Sequence, residues 1–360
     1  MTPRATTLLA LGAFGALAFA CEDLVGIADL PSSDAGDATS DVAPPNNYVC
    51  TNSTTFMTTS STDLVSLKVG NGYVYAGGEG FGIMRCAAGD VCTPASDFIN
   101  ISPGNTFEDY AVATSSLFFT LQGAVGDAGS VHTAAFDGTN DQALLTNQTY
   151  PSWMAVSGSK TFWSEDSING SLETTTTPSI VHCIGCNGPD SPWITGLGGT
   201  YGLMADASNV YVLADDGSAD GTVGIYGCSV NTACGNGPRV VLTGADFVTT
   251  EQMMATDGTN VYASLIDAMD IVRVDGSGKQ TPIVTNATFE AIAVDPATND
   301  LFFATDSGLI ETTKTDGTGL TKLSSCAPSL VDALAFDANN VYAIVQNNTT
   351  FALAVYAIPR

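Results

Sequence analysis

The apolar residues of this chain fall in short runs of alternating or continuous hydrophobicity, broken by polar turn residues, and nowhere after the N-terminal segment at helical spacing. A strand, a polar turn and a second, aromatic or β-branched strand recur seven times: SLKVGNGYVYAGG, YAVATSSLFFTLQ, MAVSGSKTFWSE, LMADASNVYVLA, MMATDGTNVYASL, IAVDPATNDLFFAT and LAFDANNVYAIV. The second strands begin near Tyr73, Leu117, Thr161, Val210, Val261, Leu301 and Val341. That spacing, roughly 40 to 50 residues, is the period of propeller blades.

Turn chemistry subdivides each repeat. Gly70-Asn71-Gly72, Asp206-Ala207-Ser208-Asn209, Asp257-Gly258-Thr259-Asn260 and Asp337-Ala338-Asn339-Asn340 join the first two strands with residues that tolerate positive φ or bond their own backbone. Asp137-Gly138, Asp275-Gly276 and Asp316-Gly317 follow the third strand and read as tight hairpins. Each repeat is then a four-stranded antiparallel meander, strands A to D from the axis outward. The seventh repeat has room for one strand after Val341, about Phe351 to Ile358, so its outer strand is missing. Thr51 to Thr59 (TNSTTFMTT) can supply it, which pairs the two ends and removes the open edge. The expectation is an all-β, seven-bladed β-propeller closed by an N-terminal strand, spanning residues 48–360. A ring of six or eight blades and a β-sandwich are the alternatives.

The segments Asn209-Val210-Tyr211-Val212, Asn260-Val261-Tyr262-Ala263 and Asn340-Val341-Tyr342-Ala343 resemble the NVYA-type repeats of bacterial extracytoplasmic β-propeller proteins, lipoproteins among them, and the likeness covers roughly Thr51 to Arg360. These motifs specify a fold and no activity. No Trp-Asp pair ends a strand, and three Trp in the whole chain are too few for tryptophan-docked quinoprotein propellers.

Composition narrows the partners. Lys and Arg total 10 against 37 Asp and Glu, a formal charge of −27 that repels nucleic acid phosphates and anionic headgroups. Nucleic acid is therefore not expected as a partner.

The N-terminus reads as an address. Arg4 precedes the apolar run Leu8 to Ala20, long enough for a signal-peptide core (1–20) and too short to cross a bilayer. Leu17-Ala18-Phe19-Ala20-Cys21 resembles the lipobox of bacterial lipoproteins, with Ala18 where Leu is usual, while Ala18-Phe19-Ala20 also satisfies ordinary signal peptidase. With nine Cys in the chain, lipid on Cys21 leaves eight that can all pair. Glu22 is not the Asp that retains many lipoproteins in the inner membrane, so this resemblance implies an outer-membrane destination; secretion is the alternative. Residues 22–47 carry six acidic and no basic side chains and read as a solvated tether, with an ordered extension as the other reading.

Aligned third strands put Cys86, Cys183 and Cys228 at a common strand end, each with a second cysteine shortly after, Cys92, Cys186 and Cys234. Local disulfides across the C–D turn are expected. Cys183-Ile184-Gly185-Cys186 lacks the helix N-terminus of a redox motif and the second pair of a zinc site. Elimination leaves Cys50 to Cys326. Against that bond, Cys326 lies between the outer strand of one blade and the inner strand of the next, and Cys50 belongs at the opposite end of the closing strand.

Little points to catalysis. The two histidines, His132 and His182, fall on third strands of different blades, and no Gly-x-Ser-x-Gly elbow is present. The B–C loops are acid-rich: Glu79, Asp127, Glu165, Asp166, Asp215, Asp216, Asp220, Asp267, Asp270 and Asp306. Asp215-Asp216-Gly217-Ser218-Ala219-Asp220-Gly221 opens like a Ca²⁺ loop but lacks its closing bidentate Glu, and reads first as a solvated turn. The leading function is a monomeric, surface-tethered, non-catalytic binding propeller whose rim meets a protein or glycan, with no cofactor required. The alternative is a Ca²⁺-dependent hydrolase or lactonase, which would converge carboxylates from several blades on the axis.

Overall fold

In the computed structural model the chain forms seven sheets of four antiparallel strands, and residues 50–58, 64–78, 82–92, 97–101, 104–123, 129–165, 179–184, 191–218, 221–243, 253–266, 268–347 and 352–360 are described. The innermost strands are β2 (Leu64–Gly70), β6 (Thr106–Val112), β10 (Pro151–Ser157), β14 (Thr200–Ala205), β18 (Met254–Thr256), β22 (Phe289–Asp295) and β26 (Leu330–Phe336). Each meets the next, and β26 meets β2, so the ring is closed as a seven-bladed β-propeller.

The core lies between blades. Tyr262 of blade 5 packs with Phe289, Ile292 and Val294 of blade 6, and Phe56 and Tyr342 of blade 7 pack with Leu67 and Val74 of blade 1. Strands buried on both faces need near-continuous apolar runs, and the second strands supply them: Val210 to Ala214 are all buried, as are Val341 to Val345.

Ring closure follows the expected route. β1 (Thr54–Thr58) is the outer strand of blade 7, paired with β28 (Leu353–Pro359) in the order β1-β28-β27-β26, where β27 is Asn340–Gln346. By pairing with β28, β1 completes the fourth strand of blade 7 and joins the two ends of the domain in one sheet.

The Asp-x-x-Asn-Val-Tyr repeats have a physical reason. In blade 7, Asp337 Oδ1 accepts the Asn339 and Asn340 amides, while Tyr342, five residues on, donates its hydroxyl to Asp337 Oδ2 at 2.7 Å. Asp257 and Tyr262 repeat the arrangement in blade 5, again at 2.7 Å, and Asp206 and Tyr211 in blade 4. One carboxylate thus ties the A–B turn to the buried strand that follows it. Burial and the Asp337 carboxylate push the Tyr342 hydroxyl up to about 12. Blade 1 carries Gly70 where the Asp would be, and a Cβ there would lie 2.5 Å from Val112 Cγ1. The buried Tyr75 hydroxyl accordingly has no hydrogen-bond partner among the described residues.

The C–D turns are tight hairpins, each a type I turn closed by a left-handed glycine, as in Ala135 N to Thr139 O and Lys314 N to Thr318 O. Gly138 and Gly317 take the left-handed position with φ of 80° and 85°. In blade 5 that position falls to Gly278, at 83°, and Asp275 opens the turn one step earlier than the Asp-Gly dipeptide suggested.

Three disulfides join described cysteines: Cys86–Cys92, Cys228–Cys234 and Cys50–Cys326. The first two bridge the C–D connection as expected. The third overturns the objection raised against it. Each strand rotates by roughly 20–25° against its neighbour, so across four strands the outermost one swings toward the adjoining blade. The entry to β1 therefore meets the end of β25 (Thr321–Ser325): Thr51 N donates to Ser325 O at 2.9 Å, and Ser324 Oγ donates to Thr51 O at 2.6 Å. The Cys183 backbone pairs with Thr161; its side chain, Cys186 and Cys21 lie outside the described residues.

Candidate binding rim

The starts of the inner strands lie beside the B–C turns. Gly198 N donates to Asp215 O, Asp306 N to Thr288 O and Cys326 N to Gly308 O, so each of these links between blades is stitched to a B–C turn. That rim also carries a recurring irregularity. The A–B register slips at Leu64/Ser66, Phe107/Tyr110, Pro151/Met154, Thr200/Gly202, Phe289/Ala291 and Val331/Ala333. Bulges re-aim side chains where an inner edge would otherwise be bare backbone. The residues they insert include Val65, Tyr201, Glu290 and Asp332, and in blade 2 the pair Glu108-Asp109.

Two of these carboxylates lie on neighbouring strands, Glu290 on β22 and Asp332 on β26: burial, then the Glu290 charge, pushes the Asp332 carboxyl up to about 6, and burial followed by Asp306 raises that of Glu290. Both flank buried residues, Val331 and Ala333 around Asp332 and Phe289 and Ala291 around Glu290. Both carboxyls therefore sit on bulges at the inner edge of the rim, where burial disfavours their charged forms.

A third inner-strand carboxylate is committed to the fold. Asp109 is fully buried and accepts from Lys68 Nζ at 3.0 Å, from the Met154 amide at 2.8 Å and from Ser66 Oγ at 3.4 Å. It joins blades 1, 2 and 3, which offsets the cost of burying its charge.

The B–C loop acids are placed as follows. Asp215 Oδ2 accepts the Gly199 amide at 2.9 Å and Oδ1 the Gly217 amide at 3.1 Å. Its carboxylate sits so close to the chain that a Cβ on Gly198 would lie 1.2 Å from Oδ1. Asp216 Oδ1 accepts the Ser218 amide at 2.9 Å, and hydrogen bonding from Ser218 holds its carboxyl below the usual range. Both are thus engaged with their own loop, while Asp220, Glu79, Asp127, Asp166 and Asp267 lie outside the described residues. Glu165 Oε1 accepts the Thr149 amide at 3.4 Å. Among the described residues no three His, Cys, Asp or Glu side chains are grouped to hold a metal ion.

His132 lies on a third strand, bonded through Nδ1 to Asp141 at 2.9 Å and through Nε2 to Ser130 at 3.0 Å, and stacked on Phe119. Those contacts occupy both ring nitrogens. The side chain of His182 lies outside the described residues. Sequence reasoning, led by loop composition, passed over Glu290 and Asp332; the available signal was an acidic residue amid the apolar inner strands FEAIAV and LVDALAF.

No protein-family model matches the chain, and no curated protein sequence matches it. Solved propellers do. The WD40 domain of Neurospora crassa Pan2 superposes with a TM-score of 0.59 at 10% identity, covering 83% of this chain and 89% of that one. YCF48, solved bound to D1 peptide, gives 0.58 at 10% identity over 88% and 98%. Puromycin hydrolase gives 0.58 at 10% identity, covering 80% of this chain and 50% of that one. At such identities the likeness is one of fold.

Proposed function

We propose that this protein is an exported, membrane-tethered, non-catalytic binding propeller whose acidic rim receives a basic segment of a protein partner. The observation that carries the reading is the placement of Glu290 and Asp332 on adjacent inner strands, in a chain of formal charge −27. A Lys or Arg side chain entering there would offset the burial, and then the neighbouring negative charge, that raise the two carboxyls. YCF48, a propeller of similar fold, is bound to a peptide in its solved structure, which supports a peptide over a glycan. Three disulfides fit an oxidising compartment outside the cytoplasm, and lipid on Cys21 would supply the tether.

The test is calorimetric titration of residues 48–360 with a Lys/Arg-rich peptide at low and physiological salt, repeated with Glu290→Gln/Asp332→Asn. Salt-sensitive binding lost in the double variant supports the reading. Binding unchanged by the double variant moves the site elsewhere on the rim. Stoichiometric Ca²⁺ binding with Ca²⁺-dependent ester or lactone hydrolysis would replace it with the enzyme reading.

A further inference from the structure

The ends of the folded chain meet at one end of a single ladder. Thr54 pairs with Ala357, so Cys50 and Arg360 both lie beyond the same terminus of the β1–β28 pair. In an antiparallel pair whose free ends lie together, tension on one of them loads the hydrogen bonds one at a time and peels the strand off. β1 alone closes the ring, and its ladder runs only from Thr54 to Thr58. Held by that ladder only, the closing strand would be the first element to leave when the N-terminal segment is pulled.

Two fasteners stand at this vulnerable end, and both lead to blade 6. Cys50 is bonded to Cys326 before the first ladder residue, and both are buried with Phe302, Ile310, Val331 and Ile358. The adjoining Thr51 adds backbone and side-chain bonds to Ser324 and Ser325. Arg360 fastens the partner strand: its guanidinium bonds Asp295 at 2.6 Å and Asp300 at 3.3 Å, and lies over the ring of Phe302. The far end of β1 abuts blade 1, where Cys92 N donates to Phe56 O at 2.9 Å.

We propose that Cys50–Cys326 is a load anchor: it passes tension arriving along the N-terminal segment into blade 6 and leaves the ring-closing strand unloaded. The inference rests on the tether reading for the source of the tension, while the bypass itself is a property of the folded domain. Force arriving at Cys50 passes to Cys326 through the disulfide, without crossing any β1 hydrogen bond.

Single-molecule pulling of the mature chain tests this, with one handle at the N-terminus and the other on a ligation tag at the Ser277 turn of blade 5. In the reduced wild type and in Cys50→Ser/Cys326→Ser, an early low-force step should lengthen the tether by about 50 Å, the reach of the residues between Cys50 and Leu64. The oxidised wild type should lack that step and open first at higher force. An identical early step in the oxidised chain overturns the proposal, as does its absence from both states. Should the variant fail to fold, reduction of the folded wild type in the instrument carries the comparison. Mass spectrometry of the N-terminal peptide for acyl groups on Cys21 tests the tether separately, so the two readings can fail independently.

Discussion

The Arg360 guanidinium donates to Asp295 Oδ2 at 2.6 Å in a place where blades 4, 5 and 7 use a tyrosine hydroxyl. Blade 6 carries Phe302 at the tyrosine position and a longer A–B turn, so Asp295 would lack that donor. Arg360 reaches across from blade 7 to supply it, resting on Phe302 and Phe336. A local bracket is thereby turned into a bond between the last two blades. Arg360→Ala should destabilise the fold by about 1–3 kcal/mol, since it leaves a largely buried carboxylate with only the Ala297 amide and the Thr298 hydroxyl to satisfy it. Urea denaturation at pH 7 checks this; a loss below 0.5 kcal/mol would count against it, on the order expected of an exposed pair.

The tyrosine brackets allow an internal control. Tyr262→Phe and Tyr342→Phe each remove a hydroxyl bonded to a carboxylate and should cost about 1–2 kcal/mol. Tyr75→Phe removes a buried hydroxyl with no hydrogen-bond partner among the described residues and should be neutral or mildly stabilising. Thermal melts of the three variants under one buffer separate these outcomes. Equal losses at all three positions would mean that ring packing alone is at work.

Asp332 sets a pH dependence whose sign is unusual for a carboxyl. Its folded value of about 6 lies above the ordinary carboxylate value of 3.8, so between those limits the folded state holds the extra proton. The contribution of this group to stability is therefore present at low pH and falls as pH rises through that window. Asp332→Asn removes the cost of burying the charge, and the lesser repulsion from Glu290, and should raise stability at pH 7 by about 1–2 kcal/mol, with little change at pH 4. Denaturation midpoints at the two pH values decide it. The same substitution should weaken binding of a cationic peptide at pH 7 and leave it less sensitive to acid.

The disulfides should differ in worth by loop length. Cys50–Cys326 spans 276 residues, against 6 for Cys86–Cys92. Chain entropy assigns on the order of 5 kcal/mol to the first and about 2 kcal/mol to the second. Paired serine substitutions, compared by chemical denaturation under oxidising conditions, should keep that order. A reversed order would show that the short staple holds the Phe56 contact of the closing strand more firmly than the long one secures its entry.

Much of the architecture follows from the chain's local pattern. Seven copies of a strand–turn–strand unit, each apolar enough to be buried on both faces, cannot satisfy themselves singly and must stack around an axis. A seventh repeat one strand short, with a Thr-rich segment at the other end of the domain, already implied closure by β1. Side-chain period and turn residues are local properties, so these inferences survive without coordinates. The relations between blades do not. Whether Cys50 could reach Cys326 depended on twist accumulated over four strands, which a flat strand diagram omits. That Asp295 turns to Arg360, 65 residues away, depended on the loss of one hydroxyl at position 302 and on where the last strand ends. The nearness of Glu290 and Asp332 depended on bulges that fall in step on neighbouring strands, and a register slip leaves no mark in composition. The sequence alone determined the repeat, the turns and the ring; the tertiary structure decided which charges and sulfurs meet, because those encounters arise from twist and register summed over strands that sequence distance does not measure.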